Sequence, residues 1–497
     1  MGPRHMFDIT APLTPGAISP GGEPLSLQKQ LTERIQQAIL SGHLPAGSSL
    51  ISSRTLAKEL GVSRNTVVNV YEHLAAEGYI LADRQGTRVA SLSGADRKNV
   101  SPVSPDTPPV RLADRLRPIL ETPLQPVHDA LLSPGMPAIR EFPLAAWRRS
   151  LDRAVRQLQS HSLGYSEPAG ERTLREAIAT HLYVARGVRC DVSQIIVTEG
   201  AKQALELCVT LLTDPGDTVW MEDPGYRGAK AAFSAGNLHT VLMAVDEEGI
   251  RVPKDAWTTH TPRLIYTSPA HQYPTGAVMS VARRLALISK ASRTGAWLIE
   301  DDYDGDFRHS GGPIASMQGL VSHTPVLYIG SFSKTMFPSL KLGFLVLPAR
   351  VMAQAKTVLN EILRNGQQLQ QMAMADFMKS GEFGRHLGRM RRLYRERQRI
   401  LREALIADFS PDQILGGKSG MHLTLKLAAG DDDKRIAELA HQHGLGVQAL
   451  SSFCTRPGAV SGLVIGYGNT SSNDIPAAIG MLTDLIKQER NVSTCRS

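Results

Sequence analysis

From about residue 127 onward, short apolar runs of strand length recur with amphipathic segments between them. They are Ile195-Ile196-Val197, Thr218-Val219-Trp220-Met221, Leu264-Ile265-Tyr266, Trp297-Leu298-Ile299 and Val326-Leu327-Tyr328-Ile329. A strand buried on both faces reads as a continuous apolar run, and strands that alternate with helices pair in a mostly parallel sheet. This pattern confines the region to an α/β layered fold. It also says where chemistry belongs, because ligands collect at the carboxyl ends of parallel strands. Polar clusters follow the runs at 197, 221, 266, 299 and 329. With 497 residues, 42% of them apolar, the chain can fill about three domains of roughly 150 residues.

The last of these strand ends is the most informative. Ser331-Phe332-Ser333-Lys334-Thr335 places one lysine between hydroxyls. An amine forms a Schiff base with an aldehyde and serine hydroxyls bind phosphate, so the stretch suits a phosphorylated aldehyde. So short a pattern also arises by chance, and most lysines are solvated. Three further ends weigh against chance. Thr198-Glu199-Gly200-Ala201-Lys202 passes from a strand through glycine into a helix, whose first N–H groups bind phosphate. Glu222-Asp223-Pro224-Gly225-Tyr226 sets an aromatic where a pyridine ring stacks, although a lone tyrosine after a turn is more often packing. Glu300-Asp301-Asp302-Tyr303 offers a carboxylate to keep a pyridine nitrogen protonated and a phenol for a ring hydroxyl. An acidic run can instead hold a metal, but no histidine spacing supports that here.

The first ninety residues carry a different pattern. Leu27, Leu31, Ile35, Ile39 and Leu40 share one face of a helix over 25–41, which Gly42 ends. The spacing predicts a second helix that a serine at 52–53 starts and Gly61 stops, and a third that Ser63 caps and that runs through Leu74. Two short helices joined by a glycine turn form a helix-turn-helix. Two β-type runs, 78–81 and 85–90, make it a winged variant. Ser63, Arg64, Asn65 and Thr66 occupy the first turn of the third helix, the part of a recognition helix that meets phosphates and base edges. Arg64 suits guanine, Asn65 adenine, and the hydroxyls phosphate. The bland reading makes Ser63 only a cap and Arg64 a solvated charge. Bulk charge does not decide: the chain carries +8, yet residues 1–95 hold eight Lys/Arg against seven Asp/Glu.

Between these regions, residues 92–126 lose apolar periodicity and gain prolines (Pro102, Pro105, Pro108, Pro109), as a semi-extended linker does. About 35 residues span at most about 115 Å, enough to carry the N-terminal domain onto a partner subunit. The seven arginines from Arg385 to Arg399 read as the solvated face of a helix in a smaller C-terminal subdomain, with a DNA-backbone role as the sharper alternative. Cys190, Cys208, Cys454 and Cys495 form no CxxC pair, the N-terminus shows no apolar leader core, and no run approaches the ~18 apolar residues of a membrane span. A cytoplasmic protein is expected, with no membrane partner and no metal.

Two resemblances sharpen this. Leu25, Leu44-Pro45-x-Gly47, Leu56-Ala57-x-x-Leu60-Gly61-Val62-Ser63-Arg64-x-Thr66-Val67, Glu77-Gly78-Tyr79 and Gly86-Thr87 resemble the GntR-type winged helix, over residues 24–91. The resemblance implies DNA contacts from Ser53, Arg54, Ser63, Arg64, Asn65, Thr66, Gly86 and Thr87. Residues 127–490 resemble the fold-type I, aspartate aminotransferase-like enzymes. That implies a pyridoxal 5'-phosphate Schiff base on Lys334, with Asp301 at the pyridine nitrogen, Tyr303 at the ring oxygen and Tyr226 stacked. It implies Ser331, Ser333, Gly200, Ala201 and Lys202 at the phosphate, and Tyr165 of Gly164-Tyr165-Ser166-Glu167-Pro168-x-Gly170 reaching a partner subunit's phosphate in a homodimer. Where the family has arginine seven residues after the lysine, Lys341 stands, a cation without the bidentate fork. His271-Gln272-Tyr273-Pro274-Thr275-Gly276 and Glu300-Asp301-Asp302-Tyr303-Asp304 are similar to the MocR/GabR-like regulators, in which the two domains are fused. No arginine lies in Leu463-Val464-Ile465-Gly466-Tyr467, where aminotransferases commonly bind a substrate carboxylate, so Arg456, Arg227 and His271 are the candidate effector contacts. The expected function is a PLP-dependent regulator that binds operator DNA and senses an amine or PLP itself. The rival readings are a working aminotransferase with an appended DNA-binding domain, and a scaffold that only dimerises.

Overall fold

In a computed structural model of the chain, the serines and glycines of the N-terminal region close three helices. The structure describes residues 9–16, 25–83, 86–91, 111–120, 130–159, 164–165, 167–309, 311–312, 314–363, 366–428, 430–456 and 460–494. It divides into two units, Met1–Arg111 and Leu112–Ser497.

In the first unit, α1 (Leu27–Leu40) buries Leu31, Ile35 and Ile39 on one stripe. Helix α2 (Ser53–Leu60) starts at Ser52, whose side chain accepts from the Thr55 N–H, and stops at Gly61 in the left-handed region. Helix α3 (Arg64–Ala76) starts at Ser63, whose Oγ accepts from the Thr66 N–H at 3.1 Å. Each cap satisfies an N–H that the helix leaves orphaned. The wing is an antiparallel pair, β1 (Ile80–Asp83) and β2 (Gly86–Val89), in register Ile80 to Val89. Leu56, Val67, Val70, Leu74 and Ile80 fill the core with the α1 stripe.

The second unit is built on an eight-stranded sheet. Its strands are β3 (Ile195–Thr198), β4 (Thr218–Asp223), β5 (His239–Asp246), β6 (Gly249–Ile250), β7 (Leu264–Thr267), β8 (Trp297–Asp302), β9 (Val326–Ser331) and β10 (Gly343–Val346), in spatial order β3-β10-β9-β8-β7-β4-β5-β6. The five expected runs are β3, β4, β7, β8 and β9, and the pairs β5/β4, β4/β7, β7/β8 and β8/β9 are parallel. β10 departs from the expected pattern: it runs antiparallel between β3 and β9. One face carries Met221, Tyr266, Ile299 and Ile329 against the helix Ala201–Leu212. The other carries Trp220, Ile265 and Leu298, with Trp220 edge-on to Trp257 at 4.6 Å.

A smaller antiparallel sheet, β11 (Ile414–Gly416), β12 (His422–Lys426), β13 (Gln448–Ala449) and β14 (Gly462–Gly466), lies C-terminal in order β11-β12-β14-β13. The basic helix is Glu382–Ile406. Arg385, Arg389, Arg392, Arg395 and Arg399 are exposed as a solvated face predicts. Arg397 is a correction: it is buried and donates to the Gly468 carbonyl, while Arg391 donates to that of Asp306. The proline cluster of the linker lies outside the described residues. Residues 111–120, at the C-terminal end of the expected linker, form short helical turns at Asp114–Leu116 and Arg117–Leu120 that pack on the helix Arg227–Ala235. No helix among the described residues is long and apolar enough to cross a membrane.

Candidate functional site

Strand alternation sorts the acidic run. Successive side chains of β8 point to opposite faces, so Asp301 shares the face of Ile299 while Glu300 and Asp302 share that of Leu298. Glu300 is bonded by the Met317 and Gln318 N–H groups at 2.9 and 3.1 Å. Asp302 accepts from Arg186 Nε at 2.6 Å and from the Tyr328 hydroxyl at 2.5 Å. Asp301 Oδ2 accepts from the Tyr266 hydroxyl at 2.7 Å, but its Oδ1 is buried with no partner among the described residues. Burial pushes the Asp301 carboxyl up to about 7, against which the Tyr266 bond pulls down. An orphaned buried acceptor is costly and is held only where something else occupies the space or the fold overrides it.

Folding raises the Asp301 pKa from 3.8 to about 7, so its contribution favours the folded state below the lower value and is lost as pH rises through the upper one. Asp301→Asn cannot ionise and keeps the acceptor for Tyr266. Free of any bound molecule, this variant should melt about 2 °C above the parent at pH 8, with the gap narrowing toward pH 4. Calorimetry at both ends of that window is the test, and a gap that does not change with pH would sink it.

Lys334 stands in the short helix Phe332–Thr335 directly after β9. Its Nζ donates to the Gly135 carbonyl at 2.6 Å. Burial lowers the amine pKa, and the charges of Asp304 and Asp301 pull it back up. Gly135, at φ +77, is needed there, since an added Cβ would lie 3.1 Å from Nζ. β10 draws two loops to one edge. A Cβ on Gly343 would come 2.8 Å from Gly200 Cα and 2.9 Å from the Gly330 oxygen, so only glycine lets the β3 and β9 ends approach. Ser331 Oγ accepts from the Ser333 N–H at 3.2 Å. Gly200, at φ +87, opens the helix Ala201–Leu212 with no side-chain cap, leaving the Ala201 end of that helix free of a competing oxygen.

Tyr226 precedes the helix Arg227–Ala235 with its ring over Gly228, and burial pushes its phenol up to about 12, helped by the Asp301 charge. Lys202 and Lys341 are exposed, and Lys341 sits at φ +53. Tyr165 is exposed, and Ser166 lies outside the described residues. Arg227 is half-buried within reach of the Tyr273 phenol, and burial lowers its pKa. Arg456 is exposed. β14 carries no arginine; its Val464 packs with Leu450, Phe453 and Tyr273. His271 is buried, with Nδ1 2.9 Å from Asp304 Oδ2 and 3.1 Å from Tyr303 Oη. His271, Asp304 and His422 bring ligand-type atoms within 4.8 Å of one another, a grouping no sequence spacing shows. His422 Nε2 is already engaged at the Pro274 oxygen, 3.0 Å away.

In the first unit, Arg54, Ser63, Arg64 and Asn65 are exposed, and Ser53 and Thr66 half-buried. The Ser63 and Thr66 hydroxyls bond each other at 2.9 Å. Gly86 begins β2 at φ +131, and the Thr87 carbonyl accepts from the Leu50 N–H at 2.8 Å. Residues missed by sequence reasoning are Gly135, Tyr266, Asp304 and Gly343. Their roles come from contacts between distant segments.

A winged helix joined in one chain to a fold-type I aminotransferase domain defines the class. Residues 27–89 match the bacterial regulatory proteins of the gntR family, and residues 135–471 match aminotransferase class I and II. The chain belongs to the MocR-like branch of the GntR transcriptional regulators. It is 34% identical over 461 residues to a probable rhizopine catabolism regulatory protein, MocR, of Rhizobium meliloti, covering 92% of this chain and 93% of that protein. It is 32% identical over 476 residues to the pyridoxine biosynthesis regulator PdxR of Corynebacterium glutamicum, covering 95% and 98%. Among solved structures, a Pyrococcus horikoshii kynurenine aminotransferase aligns at TM-score 0.67 and 25% identity, covering 76% of this chain and 95% of that one.

Proposed function

We propose that this cytoplasmic regulator binds operator DNA as a homodimer through α3 and the wing, and that its aminotransferase-like domain holds pyridoxal 5'-phosphate at Lys334 to sense an amine or the vitamer itself. The observation that carries the reading is the partnerless, buried Oδ1 of Asp301, on the same sheet end as a lysine whose amine burial makes less basic. The residues present fit the cofactor. Asp301 suits the pyridine nitrogen, Tyr226 the ring face, and Ser331, Ser333 and the uncapped turn at Gly200, Ala201 and Lys202 the phosphate. Bound there, the cofactor supplies an aldehyde for amines and an electron-withdrawing ring. The chain's part is to hold the lysine amine with its proton loosened and to keep the ring nitrogen's partner dry. Exposed Tyr165 is available to a second subunit, and a linker of the expected reach permits an exchange of DNA-binding domains between subunits.

Sensing requires that an amine bind one dimer conformation better than another. The absence of an arginine on β14 makes an ordinary α-amino acid the weaker effector class; Arg227 is the better-placed cation, Arg456 the more exposed. The test is a screen of amines by visible absorbance against the PLP-loaded protein, paired with gel shifts on DNA upstream of its own gene. An amine that changes the spectrum should change operator affinity. Spectral change with unaltered DNA binding, and full turnover with a keto acid, would favour the aminotransferase instead.

A further inference from the structure

The grouping around His271 adjoins Lys334, and the charges of Asp304 and Lys334 act on each other. The loop after β7 brings in His271, and the end of β8 brings in Tyr303 and Asp304. An ionised carboxylate only accepts, so with Asp304 charged the proton on His271 sits on Nδ1. At 2.9 Å from Asp304 Oδ2 and 3.1 Å from Tyr303 Oη, that one N–H is shared between carboxylate and phenol oxygen. In that state the phenol oxygen accepts from histidine, which leaves its own hydrogen to turn away from the ring. The pair is clamped under bare backbone: a Cβ on Gly420 would lie 2.3 Å from His271 Nδ1 and 2.5 Å from Asp304 Oδ2. The neighbouring rings add no charge. Burial holds His422 well below its ordinary pKa and His309 down to about 4.

We propose that His271, held by Asp304, is a positioning residue that turns the Tyr303 phenol proton outward, toward the ring oxygen of the cofactor. This rests on the cofactor reading above and adds to it the group that sets the direction of the phenol. The alternative orientation, Tyr303 donating back to His271, would present only an acceptor to that oxygen. A donor on the ring oxygen stabilises negative charge there. It lowers the pH at which the lysine-bound cofactor changes its visible absorbance. Tyr303 is otherwise faced by Asp301, Glu222 and Tyr273, and Lys334 by Asp301 and Asp304. A substitution at His271 leaves all of these in place.

The experiment is a pH titration of the visible band of the PLP-loaded full chain. Tyr303→Phe should raise the midpoint, and His271→Ala should raise it in the same direction by about half to one pH unit, the size of one lost hydrogen bond. His271→Asn, whose amide N–H replaces Nδ1–H, should restore the parent midpoint. In a Tyr303→Phe background His271→Ala should add nothing. A His271→Ala midpoint equal to the parent's, or a shift that adds fully to that of Tyr303→Phe, overturns the proposal. If His271→Ala fails to fold by near-ultraviolet dichroism, His271→Phe, which keeps a ring but has no N–H and leaves Asp304 in place, is judged by the same two criteria. If the parent itself shows no visible band with PLP, the cofactor reading falls first. If the band forms and only the shifts fail, His271 alone loses its role.

Discussion

Lys334→Ala mixed with pyridoxal 5'-phosphate should show the spectrum of the free cofactor and lose it on gel filtration, while the parent should keep a visible band. Only an amine can hold the aldehyde, and that amine must give up its proton to do so. A solvated lysine is almost wholly protonated at neutral pH, whereas burial lowers the basicity of Lys334. Lys202 and Lys341 are exposed, so solvent rather than a dry pocket surrounds their amines. Lys341→Ala should keep the band and weaken retention only severalfold, because an exposed cation contributes roughly 0–1 kcal/mol to a neighbouring charge. A normal band in Lys334→Ala, or its loss in Lys341→Ala, would move the attachment point and with it the sensing site. The substitution is also the cleanest separation of functions. The Lys334→Ala protein should still bind operator DNA but no longer answer to an amine.

Which parts of this were legible in the sequence follows from the range of the interactions. The winged helix could be read because its punctuation is local: Ser52 and Ser63 cap within three residues, and Gly61 ends α2 at the next position. The five apolar runs of β3, β4, β7, β8 and β9 are equally plain. β10 was not, because a four-residue apolar run does not reveal its direction, and only the pairing of Gly343 with both Thr198 and Ser331 does. The acidic run shows the divide most clearly. Its residue types suggested Asp301, and period-two alternation explains why Asp301, not Glu300 or Asp302, faces the lysine side. That Glu300 is hydrogen-bonded by the Met317 N–H and Asp302 paired with Arg186 depends on contacts 17 and 116 residues away. The basic helix divides in the same manner. Five of its arginines follow the solvated periodicity, but Arg397 falls on the stripe of Tyr394 and Leu401 and spends its charge on a backbone carbonyl.

At the other end of the chain, Arg64→Ala should weaken operator binding by about 1–3 kcal/mol per half-site, because a bidentate arginine–guanine contact carries that much discrimination. Arg64 is exposed on the first turn of α3, and that turn is fixed from behind. Ser63 is tied to Thr66 by Oγ contacts of 3.1 and 2.9 Å, and Val67 and Val70 anchor the helix in the core. A side chain on so rigid a platform enters the groove with little ordering cost, and its removal leaves the cap and the fold intact. Two measurements separate base reading from simple phosphate attraction. Arg64→Lys keeps the charge but not the fork, so it should lose nearly as much affinity as alanine if Arg64 reads a base, and little if it touches phosphate. A phosphate contact would also show in the salt dependence, lowering the slope of log K against log salt by about one for each contact removed. Gel-shift titrations of both variants at several fixed salt concentrations, on specific and scrambled DNA, give both readings. Equal losses on specific and scrambled DNA, with Arg64→Lys near the parent, would reduce Arg64 to a backbone contact. Sequence discrimination would then fall to Asn65, the exposed neighbour on the same turn.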